Sequence, residues 1–357
     1  MSASATSPPL SPLAYHGRPG DLIGLSLKNL LLNIVTLGFW RFWGRTRVRR
    51  VIWGETALLG DRLEYTGRGK ELFRGFVIAA VLLTVLVLAE QAIAYLLMPG
   101  TFGVIWLPTV ALLVPIGLQL ARRYLASRTV WRGIRFTHAG SPGGYLWLQI
   151  RWWLLVTVTL GLAWPWKAAA ETRWAIGKLQ LGSETFAFDG TGRQLVGRFL
   201  IAAAMNIGLM GLILGCLAAA GVFPSFDLIQ SEALLRIWLS LLAYGFLALV
   251  FFGPVTWWFR AAYLRWRAEH TTLAGARFAM PGATFWAIAR LSVGNLLILV
   301  FSLGVLWPVI QARTVAFQAR HMRCDRLPGL DDAQQGAPGP RTGEGLSGLL
   351  AVDALGA

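Results

Sequence analysis

The amino-acid sequence predicts an α-helical integral membrane protein that contains a duplicated, same-direction repeat. The chain is 55% hydrophobic and only 14% charged, whereas soluble domains carry roughly 25% charged residues. Four apolar runs are also longer than the roughly 18 to 20 residues that cross a bilayer. These runs occupy residues 75–98, 102–121, 197–223 and 233–258.

The repeat consists of residues 31–80 and 154–203, which align without a gap at an offset of 123 residues. Seventeen of the 50 aligned positions are identical. The identical pairs that shared apolar composition does not explain are Thr36/Thr159, Gly38/Gly161, Trp43/Trp166, Arg50/Arg173, Gly54/Gly177, Gly67/Gly190, Gly69/Gly192 and Phe76/Phe199. A fixed-period repeat of this kind sets the architecture before any single motif does.

The repeat predicts five parts of the chain. Residues 1–14 form a disordered N-terminus, 15–121 the first membrane repeat, and 122–258 the second membrane repeat. Residues 259–326 form a partial third repeat, because Ser-Leu-Gly recurs there in the place of Thr-Leu-Gly. Residues 327–357, rich in Gly, Pro, Ala and Asp, form a disordered tail.

Three apolar segments, each led by a Pro-Gly pair, contain this tripeptide and are called the TLG segments. They occupy residues 21–43, 144–166 and 283–310. The residues that define their architecture are Gly38, Trp43, Gly161, Trp166, Gly304 and Trp307. Four further stretches alternate apolar and polar residues around a glycine and predict small β-hairpins. They begin near Thr56, Thr129, Leu181 and Thr271.

The distribution of Lys and Arg among the loops predicts which loops lie on the cytosolic side of the membrane. Lys and Arg outnumber Asp and Glu in residues 44–74, 122–142, 167–193 and 255–282. The linkers 99–101 and 224–232 contain no Lys or Arg. The positive-inside rule therefore places the basic loops, the β-hairpins and the C-terminal tail in the cytosol, with two transmembrane helical hairpins between them.

The TLG segments decide the number of membrane crossings. If each spanned the bilayer, equivalent loops of the two copies would lie on opposite faces. We therefore expect re-entrant or interfacial segments that turn at the TLG glycine, with seven full spans as the alternative. Lys28 and Arg151, at equivalent positions, favour an interface, where a cationic side chain snorkels cheaply.

Candidate functional residues are few. Glu90 and Gln91 lie in an apolar run, and Asn206 lies in another. A buried acid in a bilayer is a candidate proton or cation relay, and the alternative is a hydrogen bond within the helix bundle. Arginines beside aromatic residues bind anionic lipid headgroups or merely set orientation. The candidate headgroup ligands are Arg45, Arg47, Arg49 and Arg50.

No catalytic, cofactor or metal motif accompanies these residues. The four histidines lack metal-ligand spacing, and His16 and His138 are interpreted as surface loop residues. We therefore expect no enzyme activity and no cofactor. The net charge of +16 fits basic loops beside a lipid bilayer, and nucleic acid is not an expected partner.

The dense runs from Asn29 to Trp40 and from Arg45 to Phe73 resemble the YjgN family of bacterial inner-membrane proteins. The resemblance continues through Thr129–Phe136 and covers roughly residues 15–325. It implies a multi-pass location in the bacterial inner membrane and no established activity. Two functions remain open: a solute or ion conduit, and a non-catalytic envelope scaffold that binds anionic lipid or a protein partner.

Overall fold

The computed structural model describes residues 11–96, 102–219 and 252–325 together with Leu330. These residues form ten α-helices and ten short β-strands. The elements follow one order twice: a short helical hairpin, a β-hairpin, two long helices and another β-hairpin. A third short helical hairpin and the last strand complete the described chain.

The three TLG segments are helical hairpins. The first pairs α1 (Leu22–Val35) with α2 (Arg41–Gly54). The second pairs α5 (Pro142–Val158) with α6 (Trp164–Gly177). The third pairs α9 (Phe285–Phe301) with α10 (Trp307–His321).

Side-chain contacts show that each pair of helices folds back on itself. The Trp40 indole nitrogen donates to Asn29 Oδ1 at 3.2 Å. Gln149 donates to Glu171 Oε1 at 2.6 Å across the second hairpin. Equivalent contacts in the third hairpin include Arg313 Nε, which donates to Asn295 Oδ1 at 3.0 Å. The chain therefore turns within each TLG segment, as the re-entrant hypothesis expects.

The tripeptide makes the turn by the same chemistry in all three copies. Leu37 and Gly38 have φ of 49° and 88°, and Gly38 N–H donates to Asn33 O at 2.7 Å, which is a Schellman helix end. The Thr36 hydroxyl then accepts from Trp40 N–H at 2.9 Å. Thr159 and Ser302 make the same contacts, at 3.0 and 3.2 Å.

Four β-hairpins confirm the predicted alternating stretches. They are β2–β3 (Thr56–Leu58, Asp61–Tyr65), β4–β5 (Thr129–Trp131, Ile134–His138), β6–β7 (Leu179–Leu181, Glu184–Phe188) and β8–β9 (Thr271–Leu273, Ala276–Ala279). Two-residue turns join the strands. In the first, Leu59 and Gly60 have φ of 52° and 90°, as a type I′ turn requires.

The hairpins join β1 (Leu13–Tyr15) and β10 (Arg323–Cys324) in one antiparallel sheet whose strand order follows the sequence. The sheet is nearly barrel-shaped. Its two ends approach each other, since Arg323 Nη1 donates to Ser11 Oγ at 2.6 Å. A single sheet therefore contains strands from all four predicted basic loops.

Four longer helices connect the hairpins: α3 (Gly69–Leu96), α4 (Phe102–Arg128), α7 (Arg193–Ala219) and α8, which covers residues 252–269. Within the described chain, Gly69–Ile93 and Arg193–Ile213 are long and apolar enough to cross a membrane. The predicted run 102–121 lies in α4, which contains Pro108 and Pro115. The predicted run 233–258 lies mostly outside the described residues, and the division into five parts stays a prediction.

Within each copy, residues that are identical in the two copies contact one another. A Cβ on Gly69 would lie 2.8 Å from the Trp43 ring, and one on Gly192 would lie 2.5 Å from the Trp166 backbone. Only glycine fits these positions. The long helices α3 and α7 therefore begin in contact with the short helices α2 and α6.

The arginines Arg50 and Arg173, which occupy equivalent positions, also make equivalent contacts within their copies. Arg173 Nη2 donates to Gly190 O at 2.8 Å, and Arg50 Nη2 makes the weaker equivalent contact with Gly67 O at 3.4 Å. Each contact ties a short helix to the loop that follows the next β-hairpin. Arg50 thus has an architectural contact.

The tips of the helical hairpins are apolar and exposed. Leu37 is 89% exposed, and Leu160 and Leu303 are each 93% exposed. Exposure of three large apolar side chains at equivalent points is unfavourable in water. A lipid environment removes this cost.

Candidate functional site

A cavity of about 450 Å³ lies where the helices that lead into the strands converge. Helices α2, α4, α6, α8 and α10 all contribute to its wall, and we call it the central cavity. Its charged and polar lining includes Thr56, Arg122, Thr129, His138, Glu171, Thr172, Tyr263, Arg267 and Gln318.

An apolar cluster adjoins the central cavity on the strand side. Trp131, Leu181, Leu273 and Leu330 are at most 3% exposed and pack together. Leu63 and other side chains that line the cavity also pack against this cluster. The cluster is therefore the floor of the cavity.

Hydrogen bonds fix the protonation of His138, which ends β5 and is 6% exposed. The Trp174 indole, a donor only, contacts Gln119 Oε1 at 3.2 Å. The other amide atom, Gln119 Nε2, therefore donates to Gly140 O at 2.8 Å and to His138 Nδ1 at 3.0 Å. Since Nδ1 is the acceptor, the ring proton lies on Nε2.

The surroundings hold His138 in this neutral form. The pKa of His138 is lowered to about 4, chiefly by burial and next by the nearby Arg122 guanidinium, while the Ala175 carbonyl offsets part of the effect. The imidazole therefore presents a neutral Nε2–H donor throughout the physiological pH range.

Two buried donor atoms beside the central cavity, His138 Nε2 and Arg122 Nη1, make no hydrogen bond of ordinary geometry among the described residues, although the Ala175 carbonyl lies close enough to the imidazole to raise its pKa. The Arg122 guanidinium lies 4.9 Å from the Tyr145 ring centroid, so one of its faces is already covered. A buried donor without a partner costs about 1–3 kcal/mol. A bound acceptor would recover this energy.

The acid in the cavity lining already has partners. Glu171 Oε1 accepts from both Lys167 Nζ and Gln149 Nε2. Thr172 and Tyr263 share a hydrogen bond of 2.7 Å between their hydroxyls. Glu171 is paired to Lys167, so the lining has a positive character, which comes from Arg122 and Arg267.

The chemistry of the central cavity suits a small anion, because its unused donors match carboxylate or phosphate oxygens. Among the described residues, no group of three or more His, Cys, Asp and Glu is placed to hold a metal ion.

The predicted intramembrane residues lie elsewhere. Glu90 is 6% exposed, and its Oε1 accepts from Thr109 Oγ1 at 2.5 Å. Its Oε2 and Asn206 Oδ1 are buried without a hydrogen-bond partner among the described residues, while Gln91 is exposed. None of the three lines the central cavity, and their functional role stays a prediction.

The four predicted headgroup arginines separate into two pairs. Arg45 and Arg49 face a groove beside α1. Arg47 is exposed, with its guanidinium 5.0 Å from the Trp40 ring centroid. Arg50, also exposed, contacts Gly67 O. Their binding to lipid stays a prediction.

The interpretation of His138 as a surface loop residue is wrong, because the structure buries it. The signal was present in the sequence. Tyr65, His138 and Phe188 each end the second strand of a hairpin, and each is followed two residues later by a glycine. A Cβ on Gly67 or Gly190 would lie within 2.5 Å of the preceding aromatic side chain.

Comparison with known proteins gives one match. Residues 10–349 match a family described as "Bacterial protein of unknown function (DUF898)". The chain belongs to this family. Its membership of DUF898 confirms the resemblance to the YjgN family. Neither the curated proteins nor the solved structures give a match.

Proposed function

We propose that this protein is a multi-pass protein of the bacterial inner membrane whose central cavity binds a small anion and forms part of a gated conduit. The sheet lies in the cytosol, and the tips of the short helical hairpins enter the bilayer from that side. The protein acts without a covalent step and without a cofactor.

The membrane placement is supported by length and charge. Helix α1 has 14 residues, or about 21 Å at 1.5 Å per residue, which is shorter than the roughly 30 Å hydrocarbon core. Its apolar tip nevertheless exposes Leu37 almost fully. A re-entrant hairpin accommodates both facts, and the basic residues 44–74 then lie on the cytosolic side.

The proposal rests on two buried donors that lack a hydrogen bond of ordinary geometry, His138 Nε2–H and Arg122 Nη1, beside one cavity. Such a pair favours an anion over a cation. The apolar cluster of Trp131 and Leu181 adjoins the cavity on the sheet side, so passage in that direction requires the cluster to move.

A non-catalytic scaffold is the second candidate, and the same apolar floor favours it. In a scaffold the sheet side would be permanently closed, and the cavity would hold water alone. The two functions differ in one measurable property, which is flux of an anion across the membrane.

The test is efflux of radiolabelled inorganic phosphate and benzoate from proteoliposomes. Wild-type protein should release at least one of them faster than protein-free liposomes. Arg122→Gln should slow this release roughly tenfold, since a hydrogen bond to a charged group is lost. Arg123→Gln changes the next residue, which lies outside the cavity lining, and should behave as wild type. Wild-type flux equal to that of empty liposomes would support the scaffold.

A further inference from the structure

A second cavity, also about 450 Å³, lies between the first and third short helical hairpins. It is lined by α1, α2, the third TLG turn and the start of α10. Because three arginines of α2 line it, we call it the arginine groove. It is separate from the central cavity, with which it shares no lining residue.

The arginines form a ladder along the groove. Arg41, Arg45 and Arg49 are four residues apart, which places them on one face of α2 at successive turns. Of the described residues that line the groove, none is acidic. The groove therefore offers positive charge from arginines that also make other contacts: Arg49 Nη1 donates to Tyr65 Oη at 3.2 Å, and the Arg41 guanidinium lies 4.6 Å from the Phe76 ring centroid.

Two further features of the groove are an acceptor that could receive a ligand hydroxyl and a close contact between α1 and α2. Asn33 Oδ1 is buried there without a hydrogen-bond partner among the described residues. Gly44 faces the Asn29 side chain so closely that a Cβ would lie 3.1 Å from it. Any larger residue at position 44 would intrude on the space beside Asn29.

The second copy of the repeat lacks this groove chemistry. Lys167 stands at the position of Gly44, and its ammonium group pairs with Glu171 of the same helix. The residues equivalent to Arg41, Arg45 and Arg49 are Trp164, Ala168 and Thr172. The two copies therefore share their turns and packing but differ in charge at this one place.

One end of the groove opens at the apolar tips. Gly304 and Val305 line it and directly follow Leu303, which is 93% exposed. On the facing hairpin, Val35 and Leu37 are 78% and 89% exposed. A ligand that carries an anionic group and hydrocarbon chains would match both the arginine ladder and these tips.

We propose that the arginine groove binds the phosphate-bearing headgroup of an anionic phospholipid, whose acyl chains lie along the apolar tips of the first and third helical hairpins. The site is specific to the first copy of the repeat. It goes beyond the proposed conduit, because it requires no passage of solute and uses different residues.

The test measures binding of phosphatidylglycerol to the full-length protein in mild detergent, with phosphatidylcholine as the zwitterionic comparison. Wild type should bind phosphatidylglycerol at least tenfold more tightly. Arg41→Gln with Arg45→Gln should weaken that binding roughly 30-fold, since two headgroup contacts are lost. Arg47→Gln is the matched control on the same helix, outside the groove lining, and should bind as wild type.

A second variant keeps the three arginines of the groove and replaces Gly44 by a larger residue. Gly44→Leu should also weaken phosphatidylglycerol binding, while thermal unfolding in lipid-free detergent monitors the fold of every variant. If the double variant does not fold, Gly44→Leu decides the test. Equal binding of both lipids by wild type, or unchanged binding in the folded variants, would overturn the proposal.

Two further arms identify the source of the phosphate and separate the proposals. Glycerol 3-phosphate should compete at least a hundredfold more weakly than phosphatidylglycerol, because it lacks the acyl chains; equal competition would overturn the lipid assignment in favour of a free phosphate ester. Arg122→Gln in the central cavity should leave lipid binding intact. A failed conduit and a failed lipid site are therefore told apart.

Discussion

Protonation of His138 should destabilise the protein in acid by an amount that the structure sets. The perturbation is a shift of pH from 7.5 to 4.5, compared between wild type and His138→Gln. The His138 pKa is lowered from 6.5 to about 4 in the folded protein. Between these two values the unfolded chain binds the proton and the folded protein does not, so stability falls as the pH falls.

The magnitude follows from the two pKa values. At pH 7.5 the imidazole is neutral in both states, and its contribution to the pH dependence is close to zero. At pH 4.5 protonation costs about 2–3 kcal/mol, at 1.36 kcal/mol per unit of separation between the pKa values. Other groups titrate in both proteins, so the difference between wild type and His138→Gln isolates this term.

The assay is reversible chemical unfolding in detergent micelles, followed by tryptophan fluorescence at both pH values. Wild type should lose about 2–3 kcal/mol more than His138→Gln. His16→Gln, which removes an exposed histidine, should behave as wild type. If His138→Gln loses as much stability in acid as wild type does, His138 is not a buried neutral donor and the proposed site is wrong.

Three further predictions test the architecture and the limits of the site. Gly190→Ala should destabilise the protein by about 1–3 kcal/mol, because its Cβ would lie 2.5 Å from the Phe188 ring; Gly197→Ala, at an open helix position, should be neutral or slightly stabilising in the same thermal unfolding experiment. Arg173→Gln removes the donor to Gly190 O and should cost about 1–3 kcal/mol, measured against the exposed-site variant Arg47→Gln. Glu90→Gln keeps an acceptor for Thr109 and should retain wild-type phosphate and benzoate efflux, since Glu90 lies outside the central cavity; loss of efflux without loss of stability would extend the path to α3 and α4.

The short-range features of the fold were predictable from sequence. The glycine of each TLG segment does mark a turn, and the four hairpins have two-residue turns at Leu59-Gly60 and equivalent positions. Local backbone preference sets both features, so neighbouring residues suffice to indicate them. The strands of equivalent loops join one sheet, while the side of the membrane on which these loops lie stays a prediction.

The central cavity could not be predicted in this way. Its wall joins residues from α2 to α10 that are far apart in sequence, and only pairing of strands from different hairpins brings them together. His138 was assigned to a surface loop because it falls just before a Pro-Gly turn. Its equivalence to Tyr65 and Phe188 was the available signal, but its partners Gln119 and Trp174 lie in other helices, which no local pattern connects to it.

The arginine run was only partly interpreted correctly. Helical spacing indicates that Arg41, Arg45 and Arg49 share a face, yet Arg41 was left out and Arg47 and Arg50 were included with them. The structure separates the four predicted arginines by direction, since Arg47 lies over Trp40 and Arg50 reaches Gly67. A heptad or 3.6-residue projection of α2 would have made this separation.

Anomalous diffraction from crystals soaked in bromide tests directly whether the central cavity binds an anion. Bromide accepts hydrogen bonds and scatters anomalously, so its position is observed independently of the protein. If the central cavity binds an anion, a bromide peak lies in it within hydrogen-bonding distance of both His138 Nε2 and Arg122 Nη1. A central cavity without bromide, in crystals that bind bromide elsewhere, would contradict it.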